Sequence, residues 1–580
     1  MQTKGIGRLA ALLLAALLAL VLLPGAALAR TADGAVETAE ELINALNAGG
    51  EVNVKLGANI TLTTTRQQFA ISGKTVTLDL NGFALTREGT GSSPLFSINN
   101  GGKLTINDQK GGGSITSSYP VELWSNSTFV LNGGDLISVK GAVIDIFDGA
   151  KNVLAEMNGG SAGFTDTATT NIDNVLGIRG GENVKVNING GEIAANPHGR
   201  LAVYISGNKA GAIEVTIAGD SRITATGKAI QAYSGAVINV SGNAEIHSEN
   251  GNAISTQSGY GVVSLTVGGD SRITTGSRMS AALSAQEDSS VIVEGNATVS
   301  SLETSDSASA KVQGSSSVGK LEREDSSSLT VTSCRTDDLA NVKAFLDPDA
   351  AVAKITDGSG SAFYVGEALE TRAAGVSAGD EIDVLSGDVA LTNLPDGVTV
   401  KNSGGGTVSA NGKDVPAGDS YTVKTPLAIR ITAQPRDAIV TEGETATFTI
   451  AVEGGTPYYQ WRKSTDGGRT FAFIAGENGA SYTTSATTVE NDGYRYDCLV
   501  IEEADKDSLA DLGSLDEGRD YVKSSAATLT VKAAEEEPAP GGEDDVPPTG
   551  EGPLLYVALG VAALCLLGLA LPALRRGNRG

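Results

Sequence analysis

The residues best placed to do chemistry are two carboxylates and one guanidinium that recur along a repeating strand pattern. Glu122 and Asp145 hold equivalent positions in consecutive repeats, about 4.8 Å apart if those strands lie side by side. Such closeness raises the pKa of one carboxyl, which general acid–base catalysis requires. Arg179 lies one repeat further along, as a base or as an ion-pair partner. The simpler interpretation is a solvated charge cluster, so the three are catalytic candidates only.

Four aromatic residues belong to the same predicted face, in a chain with few aromatic residues: Trp124, Phe147, Tyr204 and Tyr233. Exposed rings beside hydrogen-bonding side chains suit sugar binding, because flat apolar platforms and polar groups are both present. The alternative is that another segment covers the rings, either the loop 164–174 or a helix near the N-terminus. The sequence leaves both possibilities open.

Signatures of metal and cofactor sites are missing from the sequence. It holds no zinc, phosphate-loop, haem or nucleotide motif, so we expect neither a metal nor a cofactor. His198 and His247 have no acidic or cysteine partner at useful spacing, which predicts solitary surface histidines. The net charge of −26 argues against binding to nucleic acid or acidic lipid.

A strand-then-turn phrase that recurs about every 25 residues must position these side chains. The last apolar residue before each turn marks the period: Leu80, Ile106, Leu131, Met157, Ile188, Ile217, Val240, Val267, Val293, Val312 and Val331. Short alternating strands with this period predict a parallel β-helix, in which each coil stacks on the last. The fold class is therefore all-β.

A second strand in each repeat has apolar inward positions, such as Ile144 and Ile146, and outward positions that form two columns. Column one holds Ser97, Glu122, Asp145, Gly177, Tyr204, Gln231, Ser255 and Ser284. Column two holds Asn99, Trp124, Phe147, Arg179, Ser206, Tyr233, Gln257 and Gln286. The candidate residues thus share one face of the predicted rod.

Asparagine follows the last apolar residue in five early repeats: Asn81, Asn107, Asn132, Asn158 and Asn189. Stacked at one coil spacing, their amides are predicted to hydrogen-bond as a ladder. Before the repeats, "ETAEELINALNAGG" places Leu42 and Leu46 at i, i+4, which predicts an amphipathic helix over the first coil.

This architecture resembles the pectate-lyase-like, right-handed β-helix superfamily, over about residues 50–333 within a domain at 30–333. The resemblance implies a polysaccharide lyase or glycoside hydrolase as one alternative. However, the clustered aspartates and Gly-His-Gly loop of polygalacturonases are missing from this sequence. We therefore favour a face that binds without catalysis.

The segment 427–533 resembles a bacterial immunoglobulin-like β-sandwich through its core tryptophan and a D-x-x-x-Y-x-C corner, at Trp461, Asp492, Tyr494, Tyr496 and Cys498. Ile450 stands where the partner cysteine is expected, so Cys498 is predicted to pack as a small hydrophobe. The resemblance implies a spacer domain. Cys334 is expected in another domain, which argues against a structural disulfide.

The segment 334–426 is predicted as a cap on the β-helix or as a small β domain. "DDLANVKAFLDP" favours a short helix that ends before Pro348. "GVTVKNSGGGTVSANGKDV" alternates like a pair of hairpin strands.

Both termini carry targeting signals. Residues 1–29 read as a signal peptide, with an apolar run from Leu9 to Leu23 and a small-residue cleavage site at Ala27–Ala29. Residues 534–550 form an acidic linker rich in proline and glycine, and 551–580 an apolar span with a basic tail. That span is long enough to cross a bilayer with its basic tail inside. A plain membrane anchor and a cleaved sorting signal are the two interpretations.

The C-terminal arrangement resembles the LPXTG-type sorting signal of Gram-positive surface proteins, with the pentapeptide Val546, Pro547, Pro548, Thr549 and Gly550. Valine replaces the family's leucine at the first position. The resemblance implies that a sortase thiolate attacks the Thr549 carbonyl and transfers the chain to peptidoglycan. Membrane contact is then expected only through the C-terminal span before sorting.

The sequence thus predicts a secreted, cell-wall-anchored surface protein, with sortase and peptidoglycan as partners. The favoured function is adhesion or glycan binding, to a host or environmental glycan or a surface protein. A polysaccharide lyase or hydrolase that uses the same face and a structural spacer are the two alternatives.

Overall fold

The computed structural model describes residues 30–31, 34–165, 174–195, 201–207, 212–233, 235–257, 259, 261–324, 326–424 and 427–535. The chain divides into two compact units, Met1–Thr425 and Pro426–Gly580. Among the described residues strand is far more abundant than helix, which confirms the all-β class, and the first unit is built from long parallel sheets that are consistent with a β-helix. None of the helices found in these ranges is both long enough and apolar enough for a membrane span. The signal peptide, most of the linker, the sorting motif and the apolar C-terminal span lie outside the described residues.

One parallel sheet runs the length of the repeats and is named here the first ladder. Its strands are Arg30–Thr31, Glu51–Lys55, Thr75–Asp79, Gly102–Asn107, Ser127–Leu131, Lys151–Met157, Glu182–Ile188, Ile213–Ile217, Ala236–Val240, Ser264–Val267, Ser290–Val293, Ser309–Val312 and Ser328–Val331. Each strand pairs with the equivalent strand of the next repeat, as the period predicts.

A second parallel series carries the candidate residues and is named the site ladder. Its strands are Phe69–Ser72, Phe96–Asn99, Val121–Leu123, Ile144–Ile146, Asn174–Ile178, Leu201–Ser206, Lys228–Tyr233, Ile254–Gln257 and Leu283–Ala285. A third series holds Ile60–Leu62, Ala84–Arg87, Ser114–Ser117, Asp135–Ser138, Ser161–Phe164, Glu192–Ala195, Arg222–Ala225, Glu245–Ser248 and Arg272–Thr275. The two series join at Thr298–Thr304, which pairs with both and is followed by Ser317–Arg323.

Inward side chains of the three series form one apolar core. Valine, isoleucine and leucine alternate along each strand with outward polar residues, so every coil buries its own apolar set against the next. The helix Ala39–Asn47, called α1, buries Leu42 and Leu46 in this core and begins at a capping box between Thr38 and Glu41. The predicted N-terminal helix is therefore confirmed.

The segment after the repeats belongs to the first unit and has a core of its own. Its elements are Cys334–Thr336, helix α2 at Leu339–Val342, the 3₁₀ turn Lys343–Phe345, Val352–Asp357, Gly360–Val365, helix α3 at Glu367–Ala373, Glu381–Ser386, Val389–Leu391, Thr399–Asn402, Val408–Ala410, Lys413–Val415 and Ser420–Thr422. The predicted short helix is confirmed. The hairpin prediction is right only for Val408–Ala410 with Lys413–Val415, because Thr399–Asn402 pairs instead with Glu381–Ser386 and Ser420–Thr422.

The second unit is a separate β structure with its own core. It contains Arg430–Ala433, Ala438–Thr441, Thr447–Thr449, Ala451–Glu453, Pro457–Ser464, Ala472–Phe473, Ser481–Thr483, the 3₁₀ turn Val489–Asn491, Arg495–Glu502, the 3₁₀ segment Glu503–Ser514, Tyr521–Lys523 and Ala527–Lys532. Trp461 pairs with Cys498 across two strands, and both are buried beside Ile450. Cys498 is a free thiol whose pKa burial raises to about 12, so it packs as a small apolar side chain, as predicted.

Candidate functional site

The two columns form in the predicted register, although Ser97, Ser255 and Ser284 of column one are buried and not exposed. In column one, Glu122 pairs with Ser97 and Asp145, and the pairing continues through Gly177 and Tyr204 to Ser284. In column two, the backbone N–H of Phe147 donates to the carbonyl of Leu123 at 2.9 Å, and that of Arg179 to Ile146 at 3.2 Å. Period-two alternation fixes this result, since a slip of one residue would turn every isoleucine outward.

Asp145 and Arg179 form an ion pair at the centre of the face. The Arg179 guanidinium donates to Asp145 Oδ1 at 2.5 Å and to Asn174 Oδ1 at 3.3 Å. Gly177, between them in column one, leaves the room for this pair, because a Cβ there would lie 2.5 Å from Asp145 Oδ1 and 2.7 Å from Asn174 Nδ2. Of the two roles left open for Arg179, the structure shows the ion-pair partner.

Burial shifts the two carboxyl groups in the same direction. It raises the pKa of Glu122, and the neighbouring charge of Asp145 adds to this effect, against a hydrogen bond from Trp124. Burial also raises the pKa of Asp145, although Arg179 opposes the shift. Ionisation of both carboxyl groups at once is therefore unfavourable. Asp145 Oδ1 already accepts a hydrogen bond from Arg179.

The aromatic residues form two pairs along the face. Trp124 and Phe147 stack with ring centroids 3.8 Å apart and an interplanar angle of 21°, and they are 37% and 40% exposed. Each ring covers one face of the other, which sequence reasoning missed because it treated the rings as separate platforms. The uncovered faces and edges remain an apolar patch beside Glu122 and Asp145.

Tyr204 and Tyr233 form the second aromatic pair, with ring centroids 5.8 Å apart. The Arg179 guanidinium lies 5.8 Å from the Tyr204 ring centroid, a cation–π contact between the ion pair and this second aromatic pair. Burial, then the neighbouring Tyr204, raises the pKa of Tyr233, whose hydroxyl accepts a hydrogen bond from Gln231. Further along column two, Gln257 Nε2 donates to Gln286 Oε1 at 2.7 Å.

Stacked asparagines brace the turns on either side of the first ladder. Asn132, Asn158 and Asn189 each donate to the preceding asparagine at 2.8–2.9 Å, which confirms the predicted ladder from Asn107 onward. Asn81 is an exception, since its Oδ1 has no hydrogen-bond partner among the described residues, and its amide N–H donates to the Leu56 carbonyl. A second ladder, which was not predicted from the sequence, links left-handed asparagines at 3.0 Å: Asn126, Asn152 and Asn183. The available signal was their intervals of 26 and 31 residues, which equal those between Asn132, Asn158 and Asn189.

The remaining candidates show no assembled site. His247 hydrogen-bonds Thr274 through its ring at 2.9 Å, whereas His198 and residues 546–550 lie outside the described residues. Within the described ranges, no group of three or more histidine, cysteine or acidic residues is placed to hold a metal ion. A groove at the end of the repeats, separate from this face, is lined by Glu294, Lys311, Gln313 and Glu367, among others, with no aromatic residue in its lining.

No protein-family model matches the chain. No curated protein matches it. Among solved structures, the chain is similar to a chimeric titin Z1Z2 carrying an exogenous decorin peptide, with 23% identity over 19% of this chain and 99% of that one, at a TM-score of 0.14. It is also similar to the Sidekick-1 immunoglobulin domains 1–5, with 21% identity over 22% of this chain and 24% of that one, again at 0.14. Such low TM-scores assign neither a fold nor a function.

Proposed function

We propose that the chain is a surface protein that binds glycans, without catalysis, through the outward face of the site ladder. The observation that carries the proposal is the exposed, stacked pair Trp124–Phe147 beside an ordered set of carboxylate, guanidinium and amide groups. Sugar recognition needs this combination, an apolar surface for the pyranose ring and fixed polar groups for its hydroxyls. The groove at the end of the repeats has no aromatic residue in its lining.

A glycoside hydrolase or lyase on the same face is the second candidate. Glu122 and Asp145 are register neighbours with raised pKa values, which favours it. The Asp145–Arg179 ion pair argues against it, because a paired-carboxylate mechanism needs both groups free to act on substrate and water. Binding without turnover is therefore the better-supported function.

The setting of this face is part of the proposal. A right-handed, pectate-lyase-like β-helix would display the columns, and an immunoglobulin-like second unit would act as a spacer. Support comes from the long parallel ladders and from the buried Trp461 and Cys498. Export through residues 1–29 and sortase transfer to peptidoglycan at Thr549 rest on the sequence motifs.

A glycan-array screen of the full-length chain tests the proposal. The double variant Trp124→Ala/Phe147→Ala is expected to lose saturable binding. Its matched control is Val237→Ala/Val262→Ala, since these valines are 36% and 44% exposed and belong to neither column. Equal binding by both double variants would move the site elsewhere. Release of a shortened glycan by the native chain would favour the enzyme, and no binding to any glycan would contradict the proposal.

A further inference from the structure

The two columns contain few charged residues. Column two holds one cation, Arg179, and column one holds two carboxylates, Glu122 and Asp145. The other positions carry aromatic rings, amides, hydroxyls and one glycine. Any discrimination between charged and uncharged ligands on this face therefore depends chiefly on how these three ionised groups are arranged.

Arg179 is already in contact with other side chains of the site. Its guanidinium bonds Asp145 at 2.5 Å and Asn174 at 3.3 Å, and it lies 5.8 Å from the Tyr204 ring centroid. The Gly177 notch keeps the ion pair close, since any larger residue would push against Asp145. The charge of Arg179 is already offset by Asp145, so an acidic ligand would gain less from pairing with it, which makes the cation a poor anchor for anions.

Glu122 has no cationic partner among the described ion pairs, and its register neighbours are Ser97 and Asp145. It lies two residues before the exposed Trp124 in the chain. Asp148, directly after Phe147, is exposed as well. A sugar stacked on the Trp124–Phe147 pair would therefore meet negative charge in close proximity.

The geometry points to selection by charge: this face takes glycans without acidic groups and rejects uronate or sulfated glycans, with Glu122 as the specificity-determining residue. The inference rests on the proposed function and names its ligand class. The physical reason is that a ligand carboxylate would be placed beside an unpaired, half-buried carboxylate, where like charges repel more strongly than in water. Hydroxyls meet no such penalty, because Glu122 and the amides of column two accept and donate hydrogen bonds to them.

Matched glycans provide the test. The full-length chain is titrated calorimetrically with a panel of neutral hexo-oligosaccharides and with the same glycans oxidised at C6 to carboxylates, at one neutral pH and one salt concentration. We expect the neutral member to bind and its acidic counterpart to bind at least about tenfold more weakly. In Glu122→Gln, which keeps a hydrogen-bond acceptor for Trp124, that ratio should shrink several-fold. Glu88→Gln, an exposed carboxylate outside both columns, should leave the ratio unchanged.

The outcomes separate this inference from the proposed function. Equal or tighter binding of the acidic glycans by the native chain would overturn the charge selection while glycan binding stands. A ratio that Glu122→Gln leaves unchanged, or that Glu88→Gln reduces equally, would overturn the role of Glu122. If no glycan of either kind binds, the proposed function fails and the inference fails with it.

Discussion

The first ladder and the site ladder present similar side chains to the core and different side chains on their outward faces. Inward, both present isoleucine, valine and leucine to a shared core. Outward, a column of the first ladder carries mainly short polar residues, such as Thr77, Thr105, Asn187, Thr216, Asn239 and Thr266. The same column also holds Val130, Glu156, Ile292 and Lys311. The site ladder instead carries stacked rings and a half-buried ion pair. One backbone therefore supports both a plain surface and a candidate site, and the outward residues make the difference.

This comparison separates the inward residues, which determine how the repeats stack, from the outward residues, which are available for binding. Inward alternation fixes coil stacking and register, and it is the same on both ladders. Outward side chains contribute little to that register, so they are free to serve recognition. Substitutions inside should therefore have equal effects on both ladders, and substitutions outside should not.

The largest effect is expected from a buried charge. Ile146→Asp on the site ladder and Ile188→Asp on the first ladder each place an unpaired carboxylate in the core, where both isoleucines are almost fully buried. Each should lower the free energy of unfolding by roughly 3–5 kcal/mol. Thr216→Asp, outward on the first ladder, should change it by less than about 0.5 kcal/mol. Chemical denaturation measures all three. Clearly unequal losses of unfolding free energy for the two isoleucines would contradict the claim that inward residues have equal effects on both ladders.

Gly177→Ala tests the outside of the site ladder. Its Cβ would lie 2.5 Å from Asp145 Oδ1, so the ion pair must separate or the strand must shift. We expect a loss of about 1–3 kcal/mol in the free energy of unfolding. Gly49→Ala is the control, because nothing lies within 4 Å of a Cβ there. A neutral Gly177→Ala would show that the pair does not depend on the notch.

The asparagine ladder offers a smaller effect beside the first ladder. Asn132→Ala removes two exposed amide hydrogen bonds, one to Asn107 and one from Asn158, and should cost about 1 kcal/mol. Asn189→Ala removes the bond to Asn158 and should cost about half as much. Thermal unfolding of both variants measures the ratio. Equal losses of stability in the two variants would mean that the hydrogen bonds of the ladder do not contribute additively.

The smallest effect concerns the ionisation of Glu122. Its pKa is raised in the folded chain, chiefly by burial. The ionised group therefore opposes folding above the raised pKa, and this penalty disappears as the pH falls through it toward the ordinary value of 4.5. Glu122→Gln should be more stable than the native chain near neutral pH and equally stable near pH 3. Denaturation at both pH values measures the difference, and a variant that is less stable near neutrality would contradict this account.

Much of the fold follows from the sequence, because its strongest signals are periodic. Strict alternation of apolar residues predicts the register of both columns, and the structure pairs Glu122 with Asp145 and Tyr204 with Gln231 as that register requires. The hairpin prediction at 397–415 was wrong for its first strand, since alternation identifies a strand and not its partner.

The details of the site were less predictable because they depend on rotamers and on residues a coil away. Nothing in the letters shows that Trp124 turns one face toward Phe147, or that Gly177 makes room for Arg179 to reach Asp145. The behaviour of Asn81 has the same origin, since its amide finds a backbone carbonyl of the preceding coil.

Tryptophan emission gives the most direct test of the central claim, that the outward face of the site ladder binds glycans. The chain has two tryptophans: Trp124 is 37% exposed on the site ladder, and Trp461 is fully buried in the second unit. Titration of the full-length chain with a bound neutral glycan should give a saturable emission change. In Trp124→Phe that change should vanish, while calorimetry still detects weaker binding. An unchanged signal in the variant, or calorimetric binding with no emission change in the native chain, would contradict the account.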